Sequence, residues 1–259
     1  TELLAEQHAQ NFTNWFNPLD IQVGWMAGKL KGKARETELA RIESGEAKMV
    51  VGTHALFQDH VIFNNLTLVI IDEQHKFGVE QRSRLVQQGV MPDVLVMTAT
   101  PIPRSLALAQ YGDMDVSVLD EKPPGRQPIK TALISTDKID QVIERLRAAI
   151  SEGRQCYWVC PLVEESELSD LIAAEERFKR LRAALGEGVV GLVHGQMPPA
   201  EKDAAMLAFQ QGETQVLVAT TVIEVGVDVP NATIIVIERA ETFGLAQLHP
   251  LRGRVGRGQ

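Results

Sequence analysis

Four nearly uninterrupted apolar runs constrain what this chain can fold into. They are LTLVIID at 66–72, DVLVMT at 93–98, TQVLVAT at 214–220 and ATIIVIE at 232–238. A strand with one face in water alternates apolar and polar residues, whereas a strand covered by helices on both faces reads as a continuous apolar run. Amphipathic segments such as Asp137 to Ser151 and Pro199 to Gln211 separate such runs. The sequence therefore predicts an α/β fold built on parallel sheets.

The same reasoning gives ten strands and two domains. The predicted strands are Ile21–Trp25, Lys48–Val51, Leu66–Ile71, Asp93–Met97, Asp115–Leu119, Ile129–Ile134, Gln155–Val159, Val189–Val193, Gln215–Ala219 and Thr233–Ile237. Between two α/β runs lies EKPPGRQP at 121–128, whose prolines and glycine are typical of an extended connector. We predict a first domain at 1–122, a linker at 123–129 and a second domain at 130–259.

Composition narrows the function classes. No run of eighteen apolar residues and no basic, then apolar N-terminal stretch occurs, so we expect a cytoplasmic protein, monomeric by default, with no membrane partner. The only cysteines, Cys156 and Cys160, lie in an apolar stretch and are predicted to be core thiols. Because the net charge is −8, any nucleic-acid contact should be local and built from backbone amides and a few Arg and Lys side chains.

The strongest local signal is an acidic pair at the end of a buried strand. Asp72 and Glu73 follow LTLVII and precede Gln74 and His75. Ligands of open α/β sheets bind at the carboxyl ends of strands, and two carboxylates there suit a magnesium–water contact and a base for phosphoryl transfer. A helix N-cap at Asp72, a metal hydrolase using Asp72 and His75, and a surface cluster remain open alternatives.

Two further segments carry polar residues at strand ends. Thr98 and Thr100 close the run DVLVMTAT, and their small hydroxyl side chains can relay hydrogen bonds. Near the end of the chain, Arg252, Arg254 and Arg257 are spaced by glycines. Three guanidinium groups within six residues favour an anion such as a transferring phosphate, with a solvated basic tail as the alternative.

Six strings resemble, in order, the motifs of superfamily 2 DExH-box helicases: GTHAL, DEQHKFGVEQR, TATPIPR, LVHGQM, ATTVIEVGVDVPNA and LHPLRGRVGRG. The stretch from TATPIPR to QPIKT, and DEQH rather than DEEH, resembles the RecG family more than the transcription-repair coupling factor. The resemblance covers essentially the whole chain. It implies two tandem RecA-like lobes of the P-loop NTPase type, taken from the interior of a motor whose first strand and phosphate loop lie outside this sequence.

The resemblance also implies roles for individual residues. Asp72 would help to hold the water shell of Mg²⁺, and Glu73 would activate the hydrolytic water. The residues expected to couple the nucleotide site to the interface between the lobes are Gln74, His75, Thr98 and Thr100. Gly226 and Asp228 would approach the nucleotide, and Arg254 and Arg257 would act as arginine fingers. The residues expected to meet DNA are Thr1, Glu2, Gly52, Thr53, His54, His194, Gly195, Thr220 and Thr221.

Two departures from the family pattern stand out. No GxxxxGK[ST] string occurs, and its expected place is just upstream of Thr1, so this chain alone is expected to bind ATP and Mg²⁺ weakly or not at all. Pro250 stands where the family has glutamine. A proline inside a helix removes a hydrogen bond, so the helix should either kink there or start late.

The expected function is an ATP-driven DNA helicase or translocase acting on stalled forks and branched recombination intermediates. The sequence leaves two alternatives, a transcription-repair coupling translocase and a non-catalytic remnant that binds DNA or a partner. The substrate polarity and the partner proteins are not encoded in any motif identified above.

Overall fold

The computed structural model describes residues 2–72, 91–98, 115–162, 167–220 and 228–257. It contains two compact units, Thr1–Pro103 and Arg104–Gln259. The predicted domain boundary at 123–129 lies further along the chain and stays a prediction. Of the predicted site residues, Thr1, Glu73, Gln74, His75, Thr100, Thr221 and Gly226 lie outside the described residues.

The first unit contains two parallel strand pairs. Its described elements are α1 (Glu2–Phe16), β1 (Val23–Met26), α2 (Gly32–Ser44), β2 (Met49–Gly52), β3 (Leu68–Asp72) and β4 (Asp93–Met97), with short 3-10 helices at Asn17–Leu19 and His54–Phe57. β1 pairs with β2, and β3 pairs with β4. Since both pairs are parallel, the carboxyl ends of paired strands lie side by side.

The second unit is built on a four-stranded parallel sheet in the order β6-β7-β5-β8. Its elements are α3 (Ile139–Ser151), β5 (Gln155–Cys160), α4 (Glu167–Leu185), β6 (Val190–Val193), α5 (Pro199–Gln210), β7 (Val216–Thr220), β8 (Ala232–Ile237) and α6 (Leu245–Arg252), with 3-10 helices at Thr136–Lys138 and Ala240–Thr242. This is the parallel α/β architecture that the apolar runs predict.

The core of the second unit explains why its strands read as continuous apolar runs. Every residue of β5 and β7, the two central strands, is buried. Cys156, Trp158 and Cys160 belong to one core cluster with Ile143 and Leu146 of α3, whereas Tyr157 packs on Phe209 of α5, with ring centroids 4.9 Å apart. Helices therefore cover both faces, and each large side chain buried this way contributes about 1.5 to 3 kcal/mol.

Two of the ten predicted strands are wrong. Residues 115–119 and 129–134 form no strand in the structure. Several of their apolar side chains are exposed; Leu119 and Leu133 are both 96% exposed. Apolar residues make a strand only where a neighbouring strand supplies hydrogen bonds, and neither segment has such a partner within the described residues.

The described helices include none with the length and apolar character that crossing a bilayer requires. Cys156 and Cys160 are buried and unbonded to each other, as predicted for core thiols. Burial raises the pKa of both thiols to about 12. Both sulfurs therefore remain protonated near neutral pH.

Candidate nucleotide and nucleic-acid sites

Asp72 lies at the carboxyl end of β3, where the sequence predicts it. Its register partner on β4 is Met97, and Thr98 follows directly. Two predicted residues, Asp72 and Thr98, therefore stand at the same edge of one parallel sheet. Carboxyl ends of parallel strands are where α/β folds bind ligands.

A histidine that the sequence analysis missed contacts Asp72. His8 Nε2, on α1, lies 3.1 Å from Asp72 Oδ2, and the two side chains are 39% and 37% exposed. The two residues are 64 positions apart, and no local pattern marks His8. A partly exposed carboxylate held in place at a strand end is a suitable oxygen ligand for Mg²⁺ or its bound water. The described residues include no group of three or more potential metal ligands.

Three segments of the first unit meet at the carboxyl ends of β1 and β2. Met26 and Gly52, the last residues of the two strands, are register partners, and the backbone amide of Thr53 donates to the Met26 carbonyl at 3.1 Å. Glu2, at the start of α1, accepts from the backbone amide of Lys29 at 2.9 Å and pairs with its Nζ at 3.0 Å. The structure thus brings Glu2 to the loop after β1, residues 27–31, and the Gly52–Thr53 turn to Met26, the residue that precedes this loop.

The turn after β2 requires a glycine. A Cβ added to Gly52 would lie 2.1 Å from the Met26 carbonyl oxygen, far inside van der Waals contact. Thr53 then starts the 3-10 helix at His54–Phe57 by accepting from the Ala55 amide at 3.4 Å. Gly52, Thr53 and His54 are therefore fixed by packing in one compact turn.

The segment 27–33, which joins β1 to α2, carries positive charge that no sequence motif indicated. Lys29, Lys31 and Lys33 are all exposed. Lys29 pairs with Glu2, and no acidic residue occurs from 27 to 35. Lys31 precedes α2 and Lys33 lies in its first turn. In a chain of net charge −8, this is a local basic surface beside the predicted DNA-contacting residues; the alternating lysines were the available sequence signal.

In the second unit, the predicted DNA-contacting residues lie at two adjacent strand ends. Val193 at the end of β6 is the register partner of Ala219, so His194 and Thr220 follow on neighbouring parallel strands. His194 Nδ1 and Thr220 Oγ1 are buried, and neither has a hydrogen-bond partner among the described residues. Unsatisfied buried polar atoms are uncommon and are typical of sites that complete their bonding with a ligand.

The arginine-rich turn follows α6. Arg254 is 3% exposed, and Arg257 Nε donates to the Gly253 carbonyl at 3.1 Å. Burial raises the pKa of Tyr157 to about 12, while Arg254 and Arg257 act in the opposite direction and Asp228 adds to the rise. Three predicted nucleotide-contacting residues are therefore electrostatically coupled to one buried tyrosine, which no sequence motif indicated.

Pro250 lies inside α6, which begins five residues earlier at Leu245. The alternative that the helix starts late is therefore wrong. The helix is only eight residues long. Its first turn is closed by amides of Gln247 and Leu248 donating to the Gly244 carbonyl, bonds that a proline at 250 leaves intact.

A polar network anchors α4 to the sheet of the second unit. Glu238, just after β8, accepts from Trp158 Nε1 at 2.6 Å and from two guanidinium nitrogens of Arg177. The Arg177 guanidinium also lies over the Trp158 ring, 5.5 Å from its centroid. Since the Arg177 and Glu238 side chains are 15% and 20% exposed, their pairing offsets a large desolvation cost.

Comparison with known families divides the chain into two matching regions. The DEAD/DEAH box helicase family matches residues 1–108, and the helicase conserved C-terminal domain matches residues 137–259.

Curated relatives match over the whole chain. The ATP-dependent DNA helicase RecG of Escherichia coli O157:H7 is 62% identical, and that of Bacillus subtilis strain 168 is 50% identical. Each match covers 100% of this chain and 38% of the relative, so the chain spans well under half the length of these proteins.

Solved helicase structures are also similar to this chain over almost all of its length. A structure of RecG bound to a three-way DNA junction has a TM-score of 0.81 and 45% identity, covering 100% of this chain and 33% of that one. Saccharomyces cerevisiae Dbp5, solved with RNA and ADP BeF3, has a TM-score of 0.67 over 98% of this chain and 66% of Dbp5; its 17% identity shows the fold alone. With its two units and their parallel sheets, the chain belongs to the RecG family of superfamily 2 helicases and corresponds to a segment of their RecA-like motor domains.

Proposed function

We propose that this chain is part of an ATP-dependent DNA helicase or translocase that remodels stalled replication forks and branched recombination intermediates during DNA repair. The observation that carries the proposal is the 62% identity to a RecG helicase along the entire chain. Asp72 at the end of a parallel strand supports it, because that position suits nucleotide chemistry.

ATP is the proposed nucleotide, with Mg²⁺ as its metal. When bound, Mg²⁺ supplies positive charge that stabilises the transferring phosphoryl group. Asp72 would hold the water shell of Mg²⁺ through the carboxylate that His8 contacts, and Glu73 would orient the attacking water and accept its proton. The residues proposed to couple the nucleotide site to the interface between the lobes are Gln74, His75, Thr98 and Thr100.

The second unit contributes the remaining nucleotide residues. Gly226 and Asp228 approach the nucleotide, and Arg254 and Arg257 stabilise the charge that develops on the phosphoryl oxygens. Support for these roles comes from the match of residues 137–259 to the helicase conserved C-terminal domain.

DNA is proposed to bind through its sugar-phosphate backbone. Phosphate contacts position a protein on a duplex without reading sequence, and the polar groups at the strand ends are suited to that role. The proposed contacts are Thr1, Glu2, Gly52, Thr53, His54, His194, Gly195, Thr220 and Thr221, joined by Lys29, Lys31 and Lys33. Branched or forked duplex is the proposed substrate.

Glu73→Gln in the full-length protein tests the catalytic assignment. The amide keeps the shape of the side chain but accepts no proton, so ATP hydrolysis should fall by several orders of magnitude while affinity for Mg²⁺–ATP is retained. Stopped-flow phosphate release and a fluorescent-nucleotide titration measure the two properties. An unchanged rate of ATP hydrolysis would show that Glu73 is not the catalytic base.

The DNA substrate is tested separately. Wild-type ATPase activity should be stimulated more by a forked duplex than by a linear duplex of the same length and base composition. Equal stimulation by the two would contradict the proposed preference for branched DNA.

A further inference from the structure

The proline-rich segment, residues 123–129, lies against the arginine turn, residues 253–257. Arg126 Nη2 donates to the Gly253 carbonyl at 3.4 Å. The site a Cβ would occupy on Gly256 is 3.2 Å from the Gln127 carbonyl oxygen and 3.3 Å from Ile129 Cγ1. The segment that the sequence predicts to be a connector thus contacts this turn at two points.

Gly253 is the shared element of this contact. Its carbonyl accepts from Arg126 Nη2 and also from Arg257 Nε, the latter at 3.1 Å. Two guanidinium groups therefore converge on one carbonyl oxygen, which has two lone pairs and can serve both. The bond from Arg257 Nε orients the Arg257 side chain, which is proposed to take part in ATP hydrolysis.

The backbone of both segments is shaped for this approach. Gly256 has a φ of +77°, a conformation that glycine adopts without a Cβ clash. In the proline-rich segment, Gly125 has a φ of +86°, and the Arg126 amide donates to the Pro123 carbonyl at 3.3 Å. This turn directs Arg126 towards Gly253, while the prolines limit the freedom of the chain around it.

We propose that Arg126 is a positioning residue for Arg257, acting through the Gly253 carbonyl, and that the proline-rich segment holds the arginine turn in place for ATP hydrolysis. The inference rests on the proposed function, since it assigns a purpose to the orientation of Arg257. It adds a residue that lies outside all six helicase-like strings of the sequence.

The first test measures steady-state ATP hydrolysis by the full-length protein with saturating forked DNA. Arg126→Ala should lower kcat about three- to tenfold, the scale of one ordinary intramolecular hydrogen bond. KM for ATP and the Kd for DNA should be unchanged, because Arg126 is not among the residues proposed to contact either ligand. Arg126→Lys, which keeps a charged donor, should recover part of the loss. An unchanged kcat in Arg126→Ala overturns the inference.

A double-mutant cycle separates positioning from general stability. In an Arg257→Ala background, Arg126→Ala should cause no further loss of kcat, since the side chain it positions is gone. Equal losses in both backgrounds would overturn the inference in favour of a structural role. If Arg257→Ala alone leaves ATP hydrolysis intact, the proposed catalytic role of Arg257 is wrong. This single variant therefore distinguishes an error in the proposed function from an error in the positioning role of Arg126.

Glycine substitutions give an independent measurement. Gly256→Ala should lower kcat at unchanged KM, because its Cβ would push against the Gln127 carbonyl. Gly212→Ala is the matched control: Gly212 has the same φ of +77°, and no atom lies within 4 Å of the added Cβ. A larger kcat effect for Gly256→Ala supports the inference, and equal effects of the two variants would overturn it.

Discussion

Replacing Lys31 and Lys33 with alanine should reduce the salt dependence of DNA binding by the full-length protein. A lysine that neutralises a phosphate releases a counterion, so each contact contributes about −0.9 to the slope of log K against log salt concentration on B-form DNA. Both lysines are exposed, and they follow β1, whose last residue, Met26, accepts a hydrogen bond from the Thr53 amide. If both contact phosphates, the slope should become shallower by about 1.8.

The slope translates into a measurable affinity difference. When the salt concentration rises from 50 to 200 mM, a slope difference of about 1.8 means that DNA affinity should fall about 12-fold more in the wild type than in the double variant. Fluorescence anisotropy with labelled forked DNA at several KCl concentrations measures this. Lys48→Ala is the control, because Lys48 is exposed and precedes β2, whereas the basic loop adjoins the other end of that strand.

Two outcomes would refute this reasoning. One is an unchanged slope in the double variant, which would place the lysines away from the DNA. The other is a change of about 0.9 in Lys48→Ala, the same change per lysine as in the double variant, which would mean that the slope reports the overall charge of the protein rather than a local contact.

Three further predictions concern stability. The folded-state pKa of Cys156, Cys160 and Tyr157 is about 12, above their ordinary values of 9.0 for cysteine and 10.0 for tyrosine. The unfolded chain therefore loses protons first, and urea denaturation should show stability falling as pH rises above about 9. Gln155→Leu removes the amide that donates to the Phe209 and Thr214 carbonyls. The Phe209 carbonyl keeps the Gly212 amide as a donor, so the loss should be about 1 to 3 kcal/mol; an unchanged denaturation midpoint would contradict this. Arg177→Met leaves a mostly buried carboxylate unpaired and should cost about 3 kcal/mol by thermal or urea unfolding, whereas no loss would show that the ion pair is dispensable.

Strand prediction succeeded where a strand is buried and failed where it depends on a partner. The run around Val218 is a strand in which every residue is buried, as a continuous apolar run predicts. The run around Ile71 is also a strand, but its residues alternate between exposed and buried, and Leu68 and Ile70 are 54% and 46% exposed. Segments 115–119 and 129–134 have similar residues, yet Leu119 and Leu133 are exposed. The local sequence does not show whether a neighbouring strand is available for hydrogen bonding. The apolar residues alone therefore could not predict whether these two segments form strands.

The candidate sites were predictable to the extent that their residues lie in contiguous strings. Asp72, Thr53 and Thr220 stand at strand ends, where the motifs place them. His8 approaches Asp72 only because α1 packs beside the strands, a contact across 64 positions.

The tight turn at Gly52 affects how variants of this region should be interpreted. A side chain of any size at this position would collide with the carbonyl oxygen of Met26, so the turn would have to open even in the absence of DNA. Weak DNA binding by a Gly52 variant would then reflect a displaced loop, and would say nothing about whether the glycine itself touches a phosphate. Substitutions at His54, whose side chain is exposed, can report on the interface without disturbing the backbone that carries it.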